Sequence, residues 1–167
     1  AKGVSPFITE ISDKSTNGND VDPNNDGPEN DSIKTPVSFN ENPVIGLAKY
    51  TDTIINNHDG TYTITFDFTL SNTGDVPILN LSLKDTLSTT FSDAISYSVL
   101  SLTSTEFIIN PSYNGYSNYE LLANGNSIKV DSSGSVVLTV LVKPGSKLGQ
   151  YLNTATLSGT TPGGNSI

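Results

Sequence analysis

The chain has 167 residues and a formal net charge of −9, and it contains no Cys, Met, Trp or Arg. Its length fits one or at most two domains. The absence of Cys excludes a disulfide framework, a thiolate zinc site and a cysteine nucleophile. The acidic balance disfavours nucleic acid and anionic membranes as partners. No run approaches the roughly 20 apolar residues of a membrane span, so we expect no membrane insertion by this segment. Since neither an initiator Met nor a signal peptide is visible, we expect a piece of a longer protein.

The negative charge is concentrated near the N-terminus. Residues 9–32 hold seven acidic residues and one Lys, a net −6, whereas the rest of the chain holds ten acidic residues and seven Lys, a net −3. The acidic segment is rich in Asn, Gly and Pro, which is typical of a linker or an ion-binding loop. We therefore predict three regions. Residues 1–36 end a preceding repeat and form an acidic linker, residues 37–160 form a folded domain, and residues 161–167 start the next linker.

Alternating apolar residues predict strands along most of the folded domain. The first is a hairpin, in which residues 47–55 pair with the clear alternation from Tyr62 to Leu70 across an Asp59-Gly60 turn. The remaining predicted strands cover residues 79–84, 95–99, 136–142 and 151–157, with weaker candidates at 106–109 and 127–130. No window shows helical spacing over three turns. The predicted fold class is therefore all-β, an immunoglobulin-like Greek-key β-sandwich with an extended acidic N-terminal segment.

Four short motifs together resemble a known family. They are TITF at 63–66, LSNTG at 70–74, LSLKDTL at 81–87 and NTATLSG at 153–159. Their order and spacing resemble the "conserved repeat domain" of bacterial surface proteins, over about residues 45–160. The resemblance implies tandem Ig-like modules on long secreted proteins, at the cell surface and without catalysis.

From this resemblance we expect a structural or adhesive repeat unit of an extracellular bacterial surface protein or filament, and we expect that it is not an enzyme. Its modules would be joined end to end, with neighbouring copies of the same protein as partners. Residues 4–11 are apolar enough to add a strand to an adjacent sheet edge. Residues 103–127 form a longer and more Tyr-rich connection than the family pattern has.

The acidic segment contains a partial calcium-binding motif. Residues 22–27, DPNNDG, match the opening of an EF-hand loop, but the twelfth position is Ile33 instead of Glu, so the motif is incomplete. The resemblance implies joints that Ca²⁺ makes rigid, and Ca²⁺ is the cofactor that we predict. The candidate ligands are Asp13, Asp20, Asp22, Asn24, Asp26, Glu29 and Asp31. The alternative is a solvated acidic linker that binds no ion specifically.

Three tyrosines, Tyr113, Tyr116 and Tyr119, cluster in the loop 112–120 among small polar residues. Such loops can contact glycans or proteins, since Tyr offers a flat apolar face and a polar tip. A glycan- or protein-binding module, with a host or surface ligand, is therefore the alternative function. The other interpretation is a loop folded over the sandwich with its tyrosines packed down. The lone His58 lies in a predicted turn, where we expect it to be solvated.

The sequence also contains candidate residues for two kinds of covalent modification. Lys49 lies in the predicted first strand and Asn153 in the predicted last one, and some pilin and adhesin Ig-like domains join such a pair by an isopeptide bond. Either Asp67 or Asp85 would then be the buried acid that shuttles protons. The alternative is an ordinary surface Lys and a structural Asn.

The second modification is O-glycosylation. Ser32, Thr53 and Thr86 each follow an Asp and precede an aliphatic residue. This triplet resembles the acceptor for O-glycosylation in some Gram-negative bacteria. It is short enough that chance matches are the alternative.

Overall fold

The structure, a computed structural model, describes residues 2–3, 11–12, 14–27 and 31–167. Contacts divide the chain into two units, residues 1–40 and 41–167. In the first unit, β1 (Lys2–Gly3) pairs antiparallel with β2 (Ile11–Ser12). Most of the predicted strand-adding segment 4–11 lies outside the described residues. No helix in the described part of the chain is long and apolar enough to cross a membrane.

The second unit consists of strands and one helical turn. Its elements are β3 (Ile45–Asn56), β4 (Tyr62–Asn72), β5 (Leu79–Asp85), α1 (Leu87–Thr90), β6 (Ser96–Thr103), β7 (Ser132–Lys143) and β8 (Ala155–Thr160). Four strands form an antiparallel sheet in the order β3-β4-β7-β6. The other two strands, β5 and β8, pair antiparallel in a second sheet. The all-β prediction is confirmed.

The predicted first hairpin is formed by β3 and β4. The Asp59 carboxylate accepts a hydrogen bond from the backbone N–H of Thr61 at 2.9 Å, and Gly60 takes a φ of +85° that suits glycine. Along β4, the side chains of Phe66, Phe68 and Leu70 are buried, whereas the residues between them are partly or fully exposed. The period-two pattern of the sequence therefore marks the inner face of this strand.

Both sheets contribute to one apolar core. From the larger sheet, β4 and β7 bury alternate residues, and from the smaller sheet β5 buries Leu81 and Leu83. Leu157 of β8 packs against the same core. The polar residues on the inner face are the exceptions, and they define the candidate site described below.

Three predicted strands differ from the structure. Residues 106–109 and 127–130 form only isolated bridges, Ile109 with Leu122 and Ile128 with Ile78. The last strand begins at Ala155 instead of residue 151, because the segment before it makes side-chain contacts in place of a ladder: the ring of Tyr151 lies 5.5 Å from that of Phe91.

Residues 161–167, which we expected to begin a linker, fold back on β8. The backbone of Ile167 exchanges two hydrogen bonds with Gly159, at 3.0 and 3.1 Å. The carboxylate of Glu41 binds the Thr161 hydroxyl and accepts a 2.8 Å hydrogen bond from the Gly163 N–H. This last stretch therefore runs antiparallel to β8, and its turn is fastened to the start of the unit.

Candidate functional site

Three polar side chains meet at the edge of the core. Asp85 is the last residue of β5 and follows Leu81 and Leu83 at an inward position, where only 1% of it is exposed. Lys49 occupies an inward position of β3 opposite Phe68 in the ladder. Asn153 lies in the segment that leads into β8, two residues before that strand begins.

One carboxylate oxygen joins the other two groups. Oδ2 of Asp85 accepts hydrogen bonds from Nζ of Lys49 and from Nδ2 of Asn153, the latter at 3.2 Å. The carbonyl oxygen of Asn153 in turn accepts a 2.9 Å hydrogen bond from the hydroxyl of Thr90, at the end of α1. The geometry therefore places an amine and a carboxamide on the same oxygen atom.

The surroundings of this cluster are apolar. Nζ of Lys49 lies 4.6 Å from the ring centroid of Phe66 and 4.9 Å from that of Phe68. The side chains of Lys49 and Asp85 are 11% and 0% exposed, and Oδ1 of Asp85 is buried without a hydrogen-bond partner in the described part of the chain. A charge in such a place has lost most of its hydration.

Burial shifts both titrating groups toward their neutral forms. Desolvation lowers the pKa of Lys49 below its ordinary value, although the attraction of Asp85 opposes the shift. Desolvation likewise raises the pKa of the Asp85 carboxyl, although Lys49 and Asn153 oppose it. Burial therefore opposes the charged forms of both side chains, whereas their mutual attraction favours those forms.

The Tyr-rich loop 112–120 contacts the end of β5 through hydrogen bonds and packing. The buried Tyr113 hydroxyl donates to the backbone carbonyl of Asp85 at 3.2 Å, and the Asp85 N–H donates to the carbonyl of Tyr119 at 3.0 Å. Burial raises the pKa of Tyr113 well above its usual range. Gly115 permits this close packing, since its φ is +68° and an added Cβ would lie 2.6 Å from the Leu87 side chain.

The three loop tyrosines thus differ in environment. Tyr113 is only 6% exposed, whereas Tyr116 is 73% exposed and Tyr119 is 43% exposed. Tyr119 also lies under the ammonium group of Lys84, 5.9 Å from the ring centroid. Only the last two tyrosines can offer a ring face to a ligand from outside.

An amine and a carboxamide whose nitrogens both contact one carboxyl oxygen are suited to amide exchange, because one acid can serve both nitrogens in proton transfer. Of the two acids considered from the sequence, Asp85 lies in this cluster. Asp67 points to the other face of β4, where the ladder pairs it with Tyr50. The signal in the sequence is the position of Asp85, since it continues the inward alternation of Leu81 and Leu83. The sequence interpretation did not single out Thr90.

The acidic segment forms a hydrogen-bonded loop. The carboxylate of Asp22 accepts the backbone N–H groups of Asp26 and Gly27 at 3.2 and 3.0 Å, and the Asn24 amide donates to the carboxylates of Asp26 and Asp31 at 3.2 and 3.3 Å. Among the residues that the structure describes, none donates a hydrogen bond to Oδ2 of Asp31, which is buried.

These contacts leave the calcium hypothesis as a prediction. Asp20 is engaged with the N–H of Asp22 at 3.1 Å. The candidate ligands Asp13 and Glu29 lie outside the described residues. Within residues 14–27 and 31–167, no group of three or more acidic or His side chains is arranged to hold a metal ion.

The remaining candidates lie at the surface or close to it. Ser32 and Thr53 are exposed, and Thr86 is half-buried between β5 and α1. His58 is exposed in the first hairpin turn, with a φ of +63°.

No protein-family model, no curated protein and no solved structure matches this chain. The resemblance to the conserved repeat domain therefore rests on the sequence motifs alone.

Proposed function

We propose that the chain is a structural module of an extracellular bacterial surface protein, built as an Ig-like Greek-key sandwich and repeated along a longer chain. The observation that carries this proposal is the contact of Lys49 and Asn153 with Asp85. It ties the first long strand of the module to the segment that enters the last one, and a module that bears tension needs its terminal strands held together.

The ends of the module support this role. Glu41 fastens the entry of the unit to the turn at residues 161–163. Beyond that turn, Ile167 runs antiparallel to β8, so the chain heads back toward the opposite end of the unit. A path that enters at one end and leaves toward the other suits modules joined end to end.

We further propose that the acidic unit is the joint between modules and that Ca²⁺ makes it rigid. The carboxylates of Asp26 and Asp31 converge on the amide nitrogen of Asn24, and among the described residues Oδ2 of Asp31 is buried without a hydrogen-bond partner. Carboxylate oxygens are ligands that Ca²⁺ prefers. An ion that took the place of the amide nitrogen between them would offset the repulsion between these carboxylates.

The location is tested on the cell that produces the protein. Antibodies raised against residues 41–167 should label intact cells as strongly as permeabilised ones, whereas an antibody to a cytoplasmic protein should label only permeabilised cells. Labelling that requires permeabilisation would contradict an extracellular module.

A second candidate function is ligand binding by the Tyr-rich loop, and the exposure of Tyr116 and Tyr119 is the observation that favours it. Replacing both by Ala should abolish binding to any glycan on a glycan array to which the wild-type chain binds. Tyr50→Ala is the matched control, because Tyr50 is 55% exposed but lies on β3. Equal binding by all three proteins would reject the loop as a binding site.

A further inference from the structure

We propose that Lys49 and Asn153 react to form an intramolecular isopeptide bond, and that Asp85 transfers the protons. Such a bond would be a cross-link that the module makes by itself, and its chemistry does not depend on the role proposed above. In the structure, the Lys49 amine and the Asn153 amide both contact the same oxygen of Asp85.

The burial of the Lys49 amine favours the form that the reaction needs. An ammonium ion has no free electron pair and cannot attack a carbonyl carbon, so a nucleophilic Lys must first lose its proton. Lys49 lies against the rings of Phe66 and Phe68 with little access to water. Its lowered pKa has the direction that this burial dictates.

The bond changes balance without an outside reagent. Nζ of Lys49 attacks Cγ of Asn153, and the carbonyl electron pair moves onto Oδ1. Protonated Asp85 gives its proton to Nδ2, and the resulting carboxylate takes a proton from Nζ. When the carbonyl reforms, the bond between Cγ and Nδ2 breaks and ammonia leaves. Asp85 ends protonated, as it began, so it acts in turn as acid and base.

Thr90 is placed to assist as the negative charge develops. Its hydroxyl donates to Oδ1 of Asn153 at 2.9 Å, so it would stabilise charge on that oxygen in the intermediate. Thr90 and Phe66 also line an open cavity of about 600 Å³. The cavity gives the ammonia a way out, and its dilution in solvent makes the bond irreversible.

Intact mass is the first test. The wild-type chain should weigh less than its sequence by one ammonia, about 17 Da. After trypsin digestion, one peptide should join residues 35–84 to residues 148–167, because a bonded Lys49 is not cleaved. Lys84→Met should show the same loss, since Lys84 is an exposed lysine paired with Glu120 at 3.2 Å. A wild-type chain at full sequence mass, cleaved after Lys49, would overturn the proposal.

The variants separate chemistry from folding. Lys49→Met, Asn153→Ala and Asp85→Asn should each keep the full sequence mass. The circular dichroism spectrum of each should keep the β-sheet signal, which shows that the bond and not the fold is lost. Thr90→Val should still fold, but the rate at which its isopeptide bond forms should be lower than in the wild type by about tenfold or more. An Asp85→Asn chain that folds and still loses ammonia would reject the role of Asp85.

These outcomes are independent of the proposed function. A chain that loses ammonia but labels only permeabilised cells would keep the bond and reject the surface module. A chain that is labelled on intact cells but has its full sequence mass would support the surface module and reject the bond.

Discussion

At the scale of single residues, one carboxylate oxygen of Asp85 contacts both the Lys49 amine and the Asn153 amide, and the proposed bond depends on this contact. Lys49 and Asn153 follow from their places in the first and last predicted strands. Asp67 and Asp85 both lie in strands, and the structure shows that they face different ways, since Asp67 pairs with Tyr50 whereas Asp85 is buried. Thr90 was missed because its contact with Asn153 spans 63 positions of sequence and depends on tertiary packing.

The buried pair predicts a pH dependence in a chain that cannot form the bond. In Asn153→Ala, the raised pKa of Asp85 means that the folded state binds more protons above pH 3.8, so stability should fall as the pH rises through the folded pKa. The lowered pKa of Lys49 means that the folded state binds fewer protons below pH 10.5, so stability should rise as the pH approaches that value.

Urea denaturation of Asn153→Ala at a series of pH values measures this dependence. The control carries Lys49→Met and Asp85→Leu in addition, and it should lose both slopes. Because well-packed apolar residues often replace a buried pair of ionisable side chains without loss, the control should be equally stable or more stable by about 1–4 kcal/mol at neutral pH. Identical pH profiles for the two proteins would contradict the shifts.

At the scale of elements, the LSNTG motif acquires a structural role. The buried Asn72 amide donates to the carbonyls of Val76 and Ile128 at 2.9 and 3.3 Å, and its oxygen accepts the Gly74 N–H at 3.0 Å. The turn is then pinned to the entry segment by a 3.0 Å hydrogen bond from Thr73 to Val44. The motif thus joins the end of β4 to the start of the unit.

Gly74→Ala should weaken this junction. An added Cβ would lie 2.4 Å from the backbone nitrogen of Val44 and 2.7 Å from the carbonyl oxygen of Asn42, and neither backbone atom can move aside cheaply. We expect a loss of about 1–3 kcal/mol, typical of overpacking, read from the urea midpoint at an unchanged m-value. Gly46→Ala is the control, since its Cβ would meet only the rotatable Ser71 hydroxyl, at 2.7 Å. Equal losses in both variants would contradict this role of Gly74.

The elements that the sequence predicted well are those with an uninterrupted period of two, because a strand with one buried face has apolar residues at every second position. This holds for β4 and β7. It fails at residues 151–154, where the apolar alternation continues although Tyr151 packs on Phe91 and Asn153 binds Asp85. Because those partners are distant in sequence, the local periodicity of residues cannot predict these contacts.

At the scale of the whole molecule, the charge of the acidic unit leads to a prediction about ions. If Ca²⁺ orders residues 14–27 and 31, millimolar calcium should protect the bonds around Lys14 and Lys34 from trypsin, and a chelator should restore cleavage. Magnesium at equal concentration is the control, because its strict octahedral preference suits an irregular loop poorly. Cleavage rates that are the same with calcium and chelator would leave a solvated linker as the correct interpretation.

The proposed bond should also be visible in the thermal stability of the whole chain. It would close a loop from Lys49 to Asn153, and cross-linking a loop of about 100 residues contributes roughly 5 kcal/mol by restricting the unfolded chain. The melting temperature of the wild-type protein should exceed that of Asn153→Ala by roughly 15 °C, whereas Lys84→Met should melt close to the wild type. Equal melting of wild type and Asn153→Ala would contradict a formed cross-link.

Mechanical unfolding brings the site and the role together. When the chain is pulled from its ends, a bond between Lys49 and Asn153 carries the tension past residues 50–152, which then cannot extend. Asn153→Ala should therefore release roughly 350 Å more chain than the wild type. The released length reports the bond, and the force at which the wild type first yields reports the load-bearing role. If the wild type releases as much chain length as Asn153→Ala, the bond is rejected. If the wild type releases the shorter length but unfolds at forces no higher than those that unfold the variant, the bond exists but adds no mechanical resistance to the rest of the module.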